Sequence, residues 1–341
     1  MESSKPASDN YAIQAQFMHN ASNLAAWKAH RMATDIATLD SEDDIRNAIK
    51  RYNQWQAVEY NAITSRARTA RQMLNFEKSS HVYPNLRWIR SRSANPRELH
   101  LTLVGLVLPK DDPFWQRNQP GSLYGCKCDW EQTDDTPAQT TPKDVPASAG
   151  LEGNPLNHGQ LITRKAGHFK AQENKVVRNA IFNVLGDEAW MDFGNIKAHL
   201  LQKPHEVKNN VKASMAYLRA DSTVNEILLL PDYFEDQLHH RDKIVPAGQR
   251  IGKGKQPDAV VVYKNGVRLV TELKYLPGQG KYISGHIKDA GKTCDHAVVV
   301  LGENNTLNDD QLKGEATYAV AKGYIKKVTI IKNDGTKITA P

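Results

Sequence analysis

Apolar residues in the first third of the chain recur at the spacing of a helix face. From Asp44 to Lys78 there is neither Gly nor Pro, and Ile45, Ile49, Tyr52, Val58, Ile63, Met73 and Phe76 mark an interrupted amphipathic stripe. The period then shortens. Residues 82–93, "VYPNLRWIRSRS", and 98–109, "ELHLTLVGLVLP", are Pro-bounded runs that predict short strands. Residues 131–150, "EQTDDTPAQTTPKDVPASAG", offer almost nothing to bury and predict a linker. Loop-like sequence follows, and helical spacing resumes over 173–202.

From His205 onward the order is legible. A helix is predicted near Glu206 to Arg219, with Val207, Val211, Met215 and Leu218 on one face. Strand "VNEILLLP" comes next, then a polar loop rich in His and Gly, then a hairpin at 257–275. A helix near 283–293, strand "HAVVVL", a helix near 309–321 and strand "KKVTIIKN" complete the run. The pattern predicts an α+β, mainly helical N-terminal domain at 1–130, a linker and loop segment at 131–172, and an α/β domain at 173–341. Its mixed sheet is expected to be flanked by helices.

Bulk composition changes this picture little. The 341 residues suit two domains, 40% hydrophobic and 24% charged, with a mean hydropathy of −0.60. No run approaches the roughly 18 apolar residues of a membrane span, so no membrane partner is expected. The first residues, "MESSKPASDNYAIQ", lack the basic-then-apolar layout of a signal peptide, which together with three cysteines predicts a reducing compartment. A net charge of +7 suits a polyanionic partner such as nucleic acid, and equally an ordinary basic soluble protein.

The hairpin "PDAVVVYKNGVRLVTELKY" carries the candidate chemistry. Asn265-Gly266 between two β-type runs is a strong turn signal. A two-residue loop sets Asp258 opposite Leu273; a three-residue loop, with Gly266 in the left-handed region, sets it opposite Glu272. The second register separates the apolar face better and is the one expected. It gathers Asp258, Glu272 and Lys274 at one end of the hairpin. Two carboxylates so placed repel, and a hard divalent metal, Mg²⁺ in particular, relieves this with oxygen ligation. A metal-bound water of lowered pKa attacks a phosphodiester, with Lys274 orienting it or stabilising developing charge. A plain surface hairpin with charged ends is the alternative.

Pro257-Asp258, thirteen residues, then Glu272-Leu273-Lys274 stands as PD…ExK. With its helix and strand before and helix after, this resembles the PD-(D/E)xK nuclease superfamily, whose core order is α, β, β, β, α, β. Residues 205–231, 257–274 and 283–301 are similar to the C-terminal tRNase domains of contact-dependent inhibition toxins. That resemblance implies a metal-dependent endonuclease acting on tRNA, Asp258 and Glu272 as metal ligands, Lys274 as catalytic, and Glu206 as a further carboxylate. Glu206 is otherwise a solvated residue in a helix's first turn, favoured by the dipole. The "AGKTCD" at 290–295 lacks the Gln of the family's segment. His286, Arg241 with His239 and His240, and Lys253 and Lys255 within "GQRIGKGKQ" are candidate nucleic-acid contacts, or ordinary solvated groups.

From roughly Phe17 to Lys170 the chain resembles the phage Mu F-like head-morphogenesis (minor capsid) family. The segment "YPNLRWIRSRSANPRELHLTLVGLVLPKDDPFW" and the later "GCKCDW" carry the likeness, and "GLEGNPLNHGQLI…GHF" adds to it. Capsid and portal proteins are the implied partners, with the virion, the host cytoplasm or a target cell's cytoplasm as location. A toxin would also imply a cognate immunity protein. Cys126 and Cys128 are spaced too closely to bridge easily. With His100 and His81 they form a possible structural zinc site, or they simply pack beside a turn. Phe114 and Trp115 are expected to anchor a core. Two rival functions stay open: a structural minor capsid protein whose C-terminal domain binds nucleic acid without cutting it, and a metal-independent, barnase-like RNase relying on His286 and its neighbours.

Overall fold

Runs such as Ala259–Tyr263 and His296–Leu301, apolar at nearly every position, need cover on both faces and so belong inside a layered sheet. The computed structural model describes residues 5–163, 165–166, 175–185, 189–279 and 282–340. It divides into two compact units, Asn20–Val177 and the pair Met1–His19 with Arg178–Pro341. Helix α1 (Lys5–Ile36) contributes to both.

In the Asn20–Val177 unit, α2 (Glu42–Glu77) starts at Ser41, whose hydroxyl accepts from the Asp44 N–H, with Glu42, Asp43 and Asp44 in its first turn. Then come β1 (Asn85–Ile89), α3 (Glu98–Leu101), β2 (Val107–Pro109), α4 (Phe114–Arg117), β3 (Asp129–Thr133) and α5 (Pro155–His158). The strands form an antiparallel sheet ordered β2-β1-β3. Phe114 and Trp115 are fully buried as expected, in a cluster with Trp88, Trp130, Leu86 and Leu108. Trp115 Nε1 donates to the Pro109 carbonyl at 2.9 Å.

Two expectations for this half need correction. Residues 98–109 are not one β-type run. Glu98–Leu101 turns helically so that His100 faces inward, and Gly105, at φ 83°, returns the chain to give its N–H to the Trp88 carbonyl. Nor do residues 131–172 act as a linker where they are described. Glu131 to Thr133 pair with β1, the Ala138 N–H donates to the Val107 carbonyl, and Asp144 holds Arg117 and Asn118. Leu151 and Ile162 are buried, and the buried Arg66 guanidinium donates to the Leu151 and Gly153 carbonyls. A segment poor in apolar residues is thus fixed by a few anchors and by polar bonds to its backbone.

The other unit contains α6 (Lys175–Leu185), β4 (Trp190–Asp192), β5 (Ile196–His199), α7 (Pro204–Ala220), β6 (Val224–Leu229), α8 (Leu238–Asp242), β7 (Ala259–Tyr263), β8 (Arg268–Leu276), α9 (Ile283–Thr293), β9 (His296–Leu301), α10 (Asp309–Ala321), β10 (Lys327–Ile331) and β11 (Lys337–Ala340). Its described strands form an eight-stranded mixed sheet ordered β11-β10-β9-β8-β7-β6-β5-β4. β6, β7 and β8 run antiparallel in succession, and β9 is parallel to β8. Val207, Val211 and Tyr217 of α7 cover one face through Val261, Leu273 and Val298. Ile283 and Ile287 of α9, with Leu312 and Ala316 of α10, cover the other through Ala297, Val299 and Val328. A mainly helical N-terminal region and a mixed C-terminal sheet between helices are the expected fold class.

Among the described residues of 173–202, the helical reading holds for Lys175–Leu185, while Trp190–Asp192 and Ile196–His199 are strands. Gly194, at φ 76°, turns β4 into β5, and pairing of β5 with β6 overrides the local helical spacing. The polar loop before the hairpin contains α8, and edge strand β11 follows the Asp334-Gly335 turn.

Two buried histidines in this unit make a testable demand. His19 Nε2 donates to the His199 carbonyl at 3.0 Å, and Thr271 Oγ1 lies 2.9 Å from His296 Nδ1. Burial holds both imidazoles neutral, lowering His19 to about 4 and His296 to about 3. Below pH 6.5 the unfolded chain takes up protons that the fold refuses. Each histidine therefore removes about 1.4 kcal/mol of stability per pH unit, from pH 6.5 down to its folded value. Urea melts at pH 7 and pH 5 should show a smaller acid loss for His296→Gln than for the wild type. Equal losses would contradict the assignment.

Candidate active site

The hairpin fixes the site. β7 pairs with β8 as Ala259↔Thr271 and Val261↔Leu269, so the ladder continues to Asp258 opposite Glu272. This is the three-residue-loop register, closed by Gly266 N–H donating to the Tyr263 carbonyl with Gly266 at φ 82°. Leu273 points into the core beneath α7, so Glu272 and Lys274 leave on the opposite face.

There the three groups converge. The Leu273 N–H donates to Asp258 Oδ2 at 2.9 Å, pinning that carboxylate. Lys274 Nζ donates to Glu272 Oε1 at 2.7 Å and lies 3.6 Å from Asp258 Oδ2. The Glu272 side chain is 10% exposed, and its Oε2 is buried with no hydrogen-bond partner among the described residues. Burial and then the Asp258 charge push the Glu272 carboxyl up to about 7, against the pull of Lys274. Burial likewise raises Asp258; Lys274 and the Leu273 N–H oppose it, and Glu206 adds to the rise. Burial opposes the Lys274 charge, yet the two carboxylates carry its pKa upward. One ammonium serves two crowded carboxylates and leaves them short of positive charge.

Glu206 stands in the first turn of α7, within electrostatic reach of Asp258. Two further members were not read from the sequence. Lys203 Nζ lies 3.3 Å from Glu206 Oε1 and 2.9 Å from Asp232 Oδ2, linking the helix start to the loop after β6. The available signal was Pro231-Asp232 directly behind an apolar strand. Cys294 forms part of the floor, a buried core residue before β9 as expected; burial, with the nearby Glu272 and Asp258 charges, raises its thiol to about 12.

The candidate nucleic-acid residues are not drawn into this cluster. Arg241 Nη2 turns back onto Asp242 at 2.9 Å. Within "GQRIGKGKQ", Gln249 Oε1 accepts from the Val270 N–H, and Arg250 holds Asp295 and the Cys294 carbonyl, so both are structural. Lys253 and Lys255 are exposed. Lys255 and His286 both act on the carboxylate of Asp289 in α9. His286 lines a cavity of about 400 Å³ with Leu276, Pro277 and the exposed Tyr282.

In the other unit His100, Cys126 and Cys128 are buried together, while His81 is exposed in the turn after α2 and outside that group. His168 lies outside the described residues.

The chain is 28% identical over 151 residues, 42% of its length, to the Mu-like prophage FluMu F protein of Haemophilus influenzae (strain ATCC 51907 / DSM 11121 / KW20 / Rd). It covers about a third (34%) of that relative. A Mu-like prophage F protein is thus a distant relative of this chain. No protein-family model matches it, and no solved structure matches it. No described helix is long and apolar enough to cross a membrane.

The charge balance predicts strong coupling. Lys274→Met strands a buried carboxylate and should cost on the order of 2–4 kcal/mol in chelator-treated protein, after allowance for partial exposure. Adding Glu272→Gln should restore at least half of that loss in urea melts. Additive losses in the double variant would contradict direct coupling.

Proposed function

We propose that the chain is a phage or prophage head-morphogenesis protein carrying a metal-dependent endonuclease of the PD-(D/E)xK type, acting on nucleic acid and most specifically on tRNA. The nuclease is the unit built on the eight-stranded sheet. The observation that carries this reading is the convergence of Asp258, Glu272 and Lys274 at the end of one hairpin, with Glu272 Oε2 left without a partner among the described residues.

The donor set fits a hard divalent cation such as Mg²⁺. Asp258 and Glu272 supply carboxylate oxygens, burial first and then a neighbouring carboxylate raise both in pKa despite Lys274, and one buried oxygen stands ready. When bound, such an ion supplies a water acidic enough to act as nucleophile near neutral pH. The chain's own parts divide the remaining work. The Leu273 N–H orients Asp258, and the buried sheet fixes the spacing of the acids. Lys274, released from part of its present pairing, stabilises charge on the scissile phosphate. Glu206 adds negative charge on the Asp258 side. Exposed Lys253 and Lys255, with a net charge of +7, favour a polyanionic substrate.

Likeness to the FluMu F protein supports the head-protein half of the reading. Capsid and portal proteins are its proposed partners and the virion its proposed location. Delivery of the nuclease into a target cell's cytoplasm follows, and the producing cell then needs an immunity protein.

Brief expression of the full chain, followed by sequencing of cellular RNA ends, should show new tRNA ends. Asp258→Asn, Glu272→Gln and Lys274→Ala should each lower cleavage by the purified chain at least 100-fold while urea melts still show a cooperative fold. Activity that survives EDTA, or survives Asp258→Asn, would sink the assignment and favour metal-free chemistry around His286.

A further inference from the structure

We infer that His100, Cys126 and Cys128 form a zinc site inside the Asn20–Val177 unit, independent of the carboxylate site. The ligand atoms lie within 4.8 Å of one another. His100 Nδ1 is 3.1 Å from Cys126 Sγ and 3.7 Å from Cys128 Sγ. Zinc–ligand bonds of about 2.0–2.3 Å imply ligand-to-ligand edges of about 3.5 Å in a tetrahedron. The two His100–sulfur spacings bracket that value, and the sulfur–sulfur spacing is within 4.8 Å, so the three atoms stand close enough to converge on one ion.

The surroundings suit thiolates. The Gly121 N–H is directed at Cys126 Sγ at 3.5 Å, and the Cys128 N–H at the same sulfur at 3.4 Å. Neutral thiols packed in an aromatic core need no converging donors, whereas metal-bound sulfur carries negative charge that N–H groups stabilise. Ser122 Oγ lies 3.3 Å from His100 Nε2. It accepts from that nitrogen when Nδ1 carries the free lone pair, the arrangement a metal-ligating imidazole requires. The Trp88 ring packs edge-on against His100, fixing the imidazole plane.

The site also has a structural purpose. His100 comes from the helical turn α3, while Cys126 and Cys128 immediately precede β3. An ion shared by them ties this turn to the strand entry, in a region where little regular structure connects the two. Soft sulfur and imidazole ligands select zinc over magnesium, so the two proposed metal sites do not compete for one ion.

The test uses the full chain purified without chelator. Elemental analysis should give about one zinc per chain, and cobalt exchange should produce a thiolate-to-metal charge-transfer band. Cys126→Ser and Cys128→Ser should each lower retained metal at least tenfold, while Cys294→Ser and His81→Ala should retain it. Should either cysteine variant fail to fold, thiol labelling of the native wild type decides: two thiols should become reactive only when chelator is added. Absence of zinc together with absence of a cobalt band would overturn the proposal, as would an unchanged band in Cys126→Ser or thiols that label equally with and without chelator.

Discussion

The sharing of one ammonium between two carboxylates at the end of the β7–β8 hairpin governs the candidate site. Without Lys274, Asp258 and Glu272 would meet as like charges in a poorly solvated place. Without the acids, a half-buried lysine would lose its charge more readily. Each member is therefore conditional on the others, and all three on the register. A one-residue slip would move Asp258 to the face of Leu273 and dissolve the cluster. Gly266, in the left-handed region, sets that register through a three-residue turn.

The rest of the sheet serves this geometry. β8 lies between β7 and β9 and is covered on both faces, so the backbone carrying Glu272 and Lys274 has little freedom to shift. Where β9 does not reach, Gln249 takes over as partner of β8 through the Val270 N–H and the Arg268 carbonyl. Arg250 then fastens that loop to the start of β9. The rigidity is uneven, and the lysine is its loose member: Lys274 has 28% of its side chain exposed and keeps a path to solvent that Glu272 does not.

Much of this was legible in the sequence because local and tertiary preferences agreed. The helices at 204–220, 283–293 and 309–321 carry apolar stripes that the two core clusters use, and the strands between them are too apolar to be anything but interior. The Asn-Gly turn and the segregation of apolar residues selected the correct register. The misses fall where partners, not residues, decide the outcome. β4 and β5 are held by pairing to β6, and residues 131–150 by side chains reaching in from other segments. Lys203 and Asp232 join the site only because folding brings the start of α7 beside the loop after β6. Arg250, within the basic segment "GQRIGKGKQ", is instead tied to a carbonyl and a carboxylate, partners that only folding brings to it.

The central claim is that these acids are short of positive charge and accept a divalent ion in a space the lysine now contests. Anomalous diffraction from crystals soaked in Mn²⁺ tests it most directly. The account predicts a peak about 2.1 Å from oxygens of both Asp258 and Glu272, with the Lys274 ammonium withdrawn from Glu272. Unchanged contacts of Lys274 with both acids, and no peak between them at saturating Mn²⁺, would contradict it.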